Sequence, residues 1–272
     1  MLGNIILAVI GLLDFAMQSV DKRLACSDPT NGLQRFVGYP AGAAQDKFTP
    51  NARFWAKGVD FSCASPWNSA GGSVRAGTLI SNRHVIFAKH FQMGKGTRIV
   101  FVDGEGAVCP CYIDAVKEVP NSDIAIGLLN AEVTPNIHPA KILPRDAAKH
   151  IGNGDGFPVV TFNQQERLFL TELNKCFTNG VPLKGVGSRI PEEQLRKGFR
   201  KSIVTGDSGN PAFMRIGNDA ILLYCLTMGG CGYGSGVHAF RADVQRAMDE
   251  LCPGYKLETF DFSKVDVPNL RR

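Results

Sequence analysis

The sequence predicts an all-β protein in which two antiparallel β-barrels or sandwiches are joined near the middle of the chain. Three observations indicate this fold class. Short apolar runs alternate with turns of Gly, Asn and Asp between residues 70 and 240. A connector with three prolines, residues 135–150, divides these runs into two groups. A single amphipathic helix follows the last runs, and two groups of strands with a terminal helix fit two packed β units.

Length, composition and charge are consistent with a globular protein. The 272 residues are 44% hydrophobic, which is enough to bury a sizeable core. The net charge of 30 − 25 = +5 comes from scattered basic residues, so no nucleic-acid partner is indicated. No apolar run reaches the roughly 18 residues that a membrane span requires, so we expect no integral membrane span. The oligomeric state is left open.

The N-terminal segment, residues 1–20, is strongly apolar. The run from Ile5 to Leu13 is apolar apart from Gly11, which suits the central region of a secretory signal peptide. The alternative is a buried N-terminal helix or strand. We predict a signal peptide, and therefore a secreted or periplasmic protein, with residues 21–69 forming an extension and the start of the first barrel.

The first barrel is predicted over residues 70–134. Residues 97–102 and 107–113 flank the turn Asp103–Gly106 and predict a hairpin, and residues 123–129 predict a further strand.

After the linker 135–150, the second barrel is predicted over residues 151–240. Its strand candidates are residues 157–162, 167–173, 212–216 and 220–227. In the tail 241–272, Val244, Ala247, Met248 and Leu251 form one apolar helical stripe that Pro253 ends.

The cysteines predict structural thiols or disulfide bonds. Their even number fits an exported, partly disulfide-bonded protein, although the pairing cannot be deduced from the sequence. Cys109 and Cys111 share one face of a strand, but no histidine lies at ligand spacing from them. We therefore expect no metal site and no cofactor. The eight positions are Cys26, Cys63, Cys109, Cys111, Cys176, Cys225, Cys231 and Cys252.

Three separate segments predict nucleophilic catalysis by a serine. In Gly206-Asp207-Ser208-Gly209, a serine between glycines can lie on a tight turn, where neighbouring backbone N–H groups stabilise an oxyanion. A serine nucleophile needs a base, and the base needs an acid that orients it. His90 ends a strand-and-turn segment upstream, and Asp123 begins an apolar strand, which gives the chain order His, Asp, Ser.

These segments resemble the chymotrypsin/trypsin-like serine proteases over about residues 70–251, in a divergent bacterial or viral-type branch. The resemblance implies two six-stranded antiparallel β-barrels with the active site in the cleft between them. It implies that His90 is the general base, Asp123 its orienting acid and Ser208 the nucleophile. The N–H groups of Gly206 and Ser208 would form the oxyanion hole. The expected reaction is endopeptidase hydrolysis of a polypeptide through an acyl-enzyme. The alternative function is a catalytically silent protein-binding module on the same scaffold.

A second histidine competes for the role of base. His84 lies on the preceding strand, whereas His90 closes the Ala88-Lys89-His90 turn as the catalytic histidine does in the family. We therefore assign the base to His90. The chain departs from the family at Phe91 and Val204, where two common disulfide cysteines are missing, and at Asn210, which replaces a glycine.

The resemblance also implies a neutral substrate pocket. Ser202 takes the position at the pocket base, and the walls are expected from Thr227, Gly229 and Gly236. A roomy pocket without charge favours cleavage after aromatic or long apolar residues. Family zymogens release an N-terminal amine that pairs with the acid before the nucleophile, here Asp207. The nearest match to that activation site, residues 35–39, is poor.

Overall fold

The computed structural model describes residues 2–37, 48–65, 75–228 and 230–267, with side chains from residue 8 onward. Within these ranges the protein is mostly β. The strands are β1 (Phe36–Val37), β2 (Thr49–Pro50), β3 (Ala64–Ser65), β4 (Gly77–Ser81), β5 (His84–Ala88), β6 (Arg98–Val102), β7 (Val108–Val119), β8 (Ile124–Leu129), β9 (Lys141–Ile142), β10 (Pro158–Phe162), β11 (Leu168–Thr178), β12 (Val181–Arg189), β13 (Pro211–Ile216), β14 (Asp219–Cys225) and β15 (Tyr233–Ser235). The α-helices are α1 (Leu2–Leu24), α2 (Ala148–Ile151), α3 (Gln194–Gly198) and α4 (Arg241–Leu251).

The first sheet is a nearly closed barrel of six antiparallel strands. Its order is β3-β4-β5-β8-β7-β6, and Ile86 of β5 lies opposite Ile126 of β8. The two edge strands approach each other, because the Ser65 hydroxyl of β3 donates a 2.6 Å hydrogen bond to the Val100 carbonyl of β6. The strands and the hairpin predicted over residues 97–129 are confirmed here as β6, β7 and β8.

The second sheet has seven strands in the order β15-β12-β11-β10-β13-β14-β9. It differs from the predicted six antiparallel strands by one strand and by one parallel pair, β9 with β14. The extra strand, β9, comes from the segment predicted as a linker. Two residues are too few to show periodicity, and only the fold reveals that Ile142 is fully buried beside Leu222. A further sheet of two strands pairs β1 with β2.

Aromatic side chains pack the two large sheets against each other. Phe61 lies shortly before β3. The centroid of its ring is 5.4 Å from that of Phe162 in β10 and 5.8 Å from that of Phe213 in β13. All three side chains are fully buried. Because this core joins the two sheets, it fixes the cleft between them.

The apolar N-terminal segment forms α1, which packs on both cores. Leu12, Ala16, Val20 and Leu24 are buried at intervals of four residues, as expected for one face of a helix. The structure therefore has the arrangement of the alternative interpretation, a buried N-terminal helix. Among the described residues, no helix combines the length and hydropathy needed to cross a membrane.

All eight cysteines are free thiols, whereas the sequence left open structural thiols or disulfide bonds. Five of them, Cys63, Cys109, Cys111, Cys176 and Cys225, are buried in the packed interior. Burial raises the pKa of the Cys176 thiol to about 12 and that of Cys225 to about 12, which keeps both protonated. These side chains pack as small apolar groups.

Candidate active site

The pairing of β5 with β8 brings His90 beside Asp123. Ala88, the last residue of β5, lies opposite Ile124, the first residue of β8. The short 3₁₀ turn Lys89–Phe91 continues from β5, and the Lys89 N–H donates to the Asp123 carbonyl at 3.1 Å. The two predicted residues are therefore neighbours because they leave adjacent strands at the same edge of the barrel.

His90 is hydrogen-bonded to Asp123 on one side and to Ser208 on the other. Its Nδ1 lies 2.6 Å from Asp123 Oδ2, and its backbone N–H donates to Asp123 Oδ1 at 2.9 Å. Its Nε2 lies 2.9 Å from Ser208 Oγ. Ser208 belongs to the turn before β13, so the chain of hydrogen bonds crosses from the first sheet to the second. This arrangement allows a proton to pass from the serine to the imidazole while the carboxylate fixes the ring.

Asp123 has a second link across the cleft that the sequence did not reveal. Its backbone N–H donates to Ser235 Oγ at 3.0 Å, and Ser235 ends β15 of the second sheet. Because the partner lies 112 residues away, only the tertiary fold brings the two groups together.

The turn that carries Ser208 depends on its glycines. Gly206 has φ +99° and Gly209 has φ +87°, a region that favours glycine. A Cβ at Gly209 would also lie 2.6 Å from the Ala76 carbonyl oxygen. Asn210, which replaces the family's glycine, is buried and donates from Nδ2 to the Asp207 carbonyl at 3.0 Å. Asparagine therefore adds a contact within the turn.

The backbone N–H groups of Gly206 and Ser208 differ from those of the other residues in this turn. Within the described ranges, neither Gly206 nor Ser208 donates its N–H to a protein atom, whereas Asp207 donates to the Val204 carbonyl at 3.1 Å and Gly209 to Leu226 at 2.8 Å. Free N–H donors on alternate residues of a tight turn can donate hydrogen bonds to an oxyanion formed at Ser208.

Asp207 is fully buried, and its carboxylate is held by two backbone groups. Oδ1 accepts from the Gln164 N–H at 2.9 Å, and Oδ2 accepts from the Val204 N–H at 2.8 Å. Burial raises the pKa of Asp207, and the two hydrogen bonds counteract that rise in part. The hydrogen-bond partners of the Asp207 carboxylate are therefore two backbone N–H groups within the folded chain. Residues 35–39 are the segment that matches a family activation site poorly. Its first residue, Arg35, is buried, with 6% of its surface exposed.

A cavity of about 530 Å³ adjoins the His90–Ser208 pair. Among the described residues that line it, only His90 is ionisable, and several of the side chains are apolar. The lining residues are His90, Ile203, Val204, Thr205, Ser208, Leu226, Thr227 and Met228.

Only some of the predicted pocket residues line this cavity. Thr227 lines it, as expected. Ser202 is exposed and is not among its lining residues, whereas the next residue, Ile203, is. Gly236 is also not among its lining residues. Gly229 lies outside the described residues. Of the predicted pocket residues that the structure describes, Thr227 lines this cavity and Ser202 and Gly236 do not.

The competing histidine is buried away from Ser208. His84 is fully buried, its Nδ1 lies 2.8 Å from Ser81 Oγ, and its ring packs 5.2 Å from that of Tyr255. Burial lowers the pKa of His84 to about 4. These contacts give His84 a packing role. Among the described residues, no three His, Cys, Asp or Glu side chains are grouped so that they could hold a metal ion.

Comparisons with known proteins add no relative. No protein-family model matches the chain, and no curated protein matches it. The resemblance to trypsin-like proteases therefore rests on the three motifs, and the mostly β fold with its nearly closed six-stranded barrel is compatible with it.

Proposed function

We propose that the protein is a serine endopeptidase that hydrolyses polypeptides through an acyl-enzyme. The observation that carries the proposal is His90, whose ring nitrogens lie 2.6 Å from Asp123 and 2.9 Å from Ser208. Three groups that meet from distant parts of the chain in this order and geometry match the needs of a nucleophile, its base and an orienting acid.

In the proposed reaction, Ser208 Oγ attacks the scissile carbonyl carbon while His90 Nε2 takes the hydroxyl proton. Asp123 keeps the Nδ1 proton on the ring and stabilises the imidazolium. The tetrahedral intermediate collapses when His90 gives the proton to the leaving amine, and the acyl-enzyme remains. Water then attacks the ester with His90 again as base, which releases the acid and restores Ser208.

The N–H groups of Gly206 and Ser208 are the proposed oxyanion donors. Their charge-stabilising role requires that they be unpaired in the resting enzyme, and both lack an acceptor among the described residues.

The cavity supports a preference for aromatic or long apolar residues on the acyl side of the cleaved bond. Ile203, Val204, Leu226 and Met228 present apolar surface to it. Val204 is 52% exposed and Met228 is 64% exposed, so both offer apolar surface that a bound apolar side chain would cover. A substrate Lys or Arg would find no carboxylate among the lining residues.

A fluorophosphonate probe tests the proposal, because it reacts only with an activated serine. We expect one adduct on Ser208 of the folded wild type, and none on Ser208→Ala or His90→Ala. Ser202→Ala is the matched control, since Ser202 is a nearby exposed serine outside the cavity. A folded wild-type chain without an adduct would refute the enzyme and favour a silent binding module.

A further inference from the structure

The turn between β10 and β11 contacts the loop that carries Ser208. Gln164, in this turn, donates from its backbone N–H to Asp207 and from its side-chain Nε2 to the Thr205 carbonyl at 3.3 Å. Its Oε1 also covers Gly206, since a Cβ added there would lie 2.7 Å from it. One residue thus contacts three consecutive residues of the loop.

The contact with Thr205 fixes the direction of the Gly206 N–H. The Thr205 carbonyl and the Gly206 N–H belong to the same peptide unit, and in a trans peptide they point in opposite directions. A hydrogen bond that holds the carbonyl on the Gln164 side therefore holds the N–H on the opposite side.

This peptide needs an external restraint because Gly206 supplies none. Rotation of the peptide would change ψ of Thr205 and φ of Gly206, and glycine adopts both signs of φ readily. A rotated peptide would present the Thr205 carbonyl in place of the Gly206 N–H and would remove one oxyanion donor.

The turn is itself well anchored. Asn163 Oδ1 accepts from the Gln165 N–H at 3.0 Å and from the Arg167 N–H at 3.1 Å. The segment that follows α1 holds the end of this turn, because the N–H of Leu168, the first residue of β11, donates to the Leu33 carbonyl at 2.8 Å. Gln164 is therefore presented to the catalytic loop from a fixed support.

We propose that Gln164 is a positioning residue that keeps the Gly206 N–H in the oxyanion hole. The inference rests on the proposed serine endopeptidase function. Gln164 touches neither His90 nor Ser208 among the described contacts, and it acts through the Thr205–Gly206 peptide.

The test compares Gln164→Ala and the isosteric Gln164→Glu with Gln165→Ala in the full chain. Gln165 is exposed, shares the turn, and its side chain has no hydrogen bond among the described residues. Both Gln164 variants keep the backbone bond to Asp207 but cannot donate to the Thr205 carbonyl. We expect kcat to fall about 10- to 100-fold with KM nearly unchanged, and Gln165→Ala to match wild type.

A pair of inhibitors separates positioning from a general loss of structure. With a peptide aldehyde, Ser208 Oγ adds to the carbonyl carbon, His90 takes its proton, and the former carbonyl oxygen becomes an oxyanion. The corresponding peptide alcohol binds without forming one. We expect the Gln164 variants to lose aldehyde affinity by the same factor as kcat and to keep alcohol affinity.

Two results would overturn the role of Gln164 in an active wild-type enzyme. One is unchanged kcat and aldehyde affinity in both Gln164 variants. The other is an equal loss of aldehyde and alcohol affinity, which would mean that the whole site is disturbed. A wild-type chain that neither cleaves peptides nor reacts with the fluorophosphonate would instead overturn the proposed function.

Discussion

Replacing Asp123 with asparagine tests how the imidazole is oriented. The carboxylate accepts two hydrogen bonds from one residue, from His90 Nδ1 at 2.6 Å and from the His90 backbone N–H at 2.9 Å. An amide has only one acceptor oxygen. If that oxygen faces Nδ1, the amide NH₂ opposes the backbone N–H. If the NH₂ faces Nδ1, the ring must carry its proton on Nε2 and cannot accept the proton of Ser208.

The expected loss can be estimated from these contacts. Leaving one donor unpaired costs about 1–3 kcal/mol. Loss of the negative charge beside a partly exposed imidazolium costs about 2–4 kcal/mol at the effective dielectric of a protein surface. Together these costs are about 3–7 kcal/mol. Since about 1.4 kcal/mol is tenfold in rate, kcat/KM should fall by about 10² to 10⁵.

The assay is kcat/KM for Asp123→Asn on a fluorogenic peptide with an apolar residue before the cleaved bond. Asp60→Asn is a matched control, because Asp60 Oδ2 also lies 2.6 Å from a histidine, His138 Nδ1, in a pair that does not contact Ser208 among the described residues. The control should keep the activity of the wild type. If Asp123→Asn stays within about tenfold of wild type, Asp123 does not orient the base.

Three further predictions concern the site and its support. Ser208→Ala and His90→Ala should each abolish nearly all turnover, and the double variant should be little worse than either, which steady-state kinetics would show; additive losses would contradict a joint role. Glu166→Gln should raise the thermal midpoint of unfolding more at about pH 8.5 than at about pH 5, values near the two ends of the pH window between the unfolded and the folded pKa of Glu166. Burial raises the pKa of Glu166 from 4.5 to about 8, so the folded state binds more protons across that window and stability falls as pH rises; equal gains at both pH values would refute this. Val204→Asp should raise the relative rate on basic substrates, whereas Ser202→Asp should not, because only Val204 lines the cavity; the reverse result would support the family register.

The three candidate catalytic residues could be picked out from the sequence because each lies in a short segment with its own local pattern. His90, Asp123 and Ser208 each stand at the end of a strand or in a tight turn, and the structure brings the three within hydrogen-bonding distance. The strands around them were predictable for the same reason, since short apolar runs bounded by turn residues are local properties of the sequence.

Features that depend on tertiary contacts were not predictable. The bond from Gln164 to Thr205 spans 41 residues, and that from Asp123 to Ser235 spans 112, with no pattern in the sequence that links either pair. The sequence also does not show that Ile203 and Val204 line the cavity while Ser202 does not, because this depends on how the loop folds. In the N-terminal segment the four-residue spacing of Leu12, Ala16, Val20 and Leu24 was visible, but apolar composition equally fits a signal peptide.

The acyl-enzyme formed on Ser208, activated by His90, is what distinguishes the proposed endopeptidase from a silent binding module. The most direct measurement is rapid mixing of the full chain with a p-nitrophenyl ester of an apolar acyl group, followed by acid quench and mass spectrometry of the peptides. We expect a burst of one p-nitrophenolate per folded chain and an acyl group on Ser208, with neither in His90→Ala. Turnover without a burst, or an acyl group on any residue other than Ser208, would contradict it.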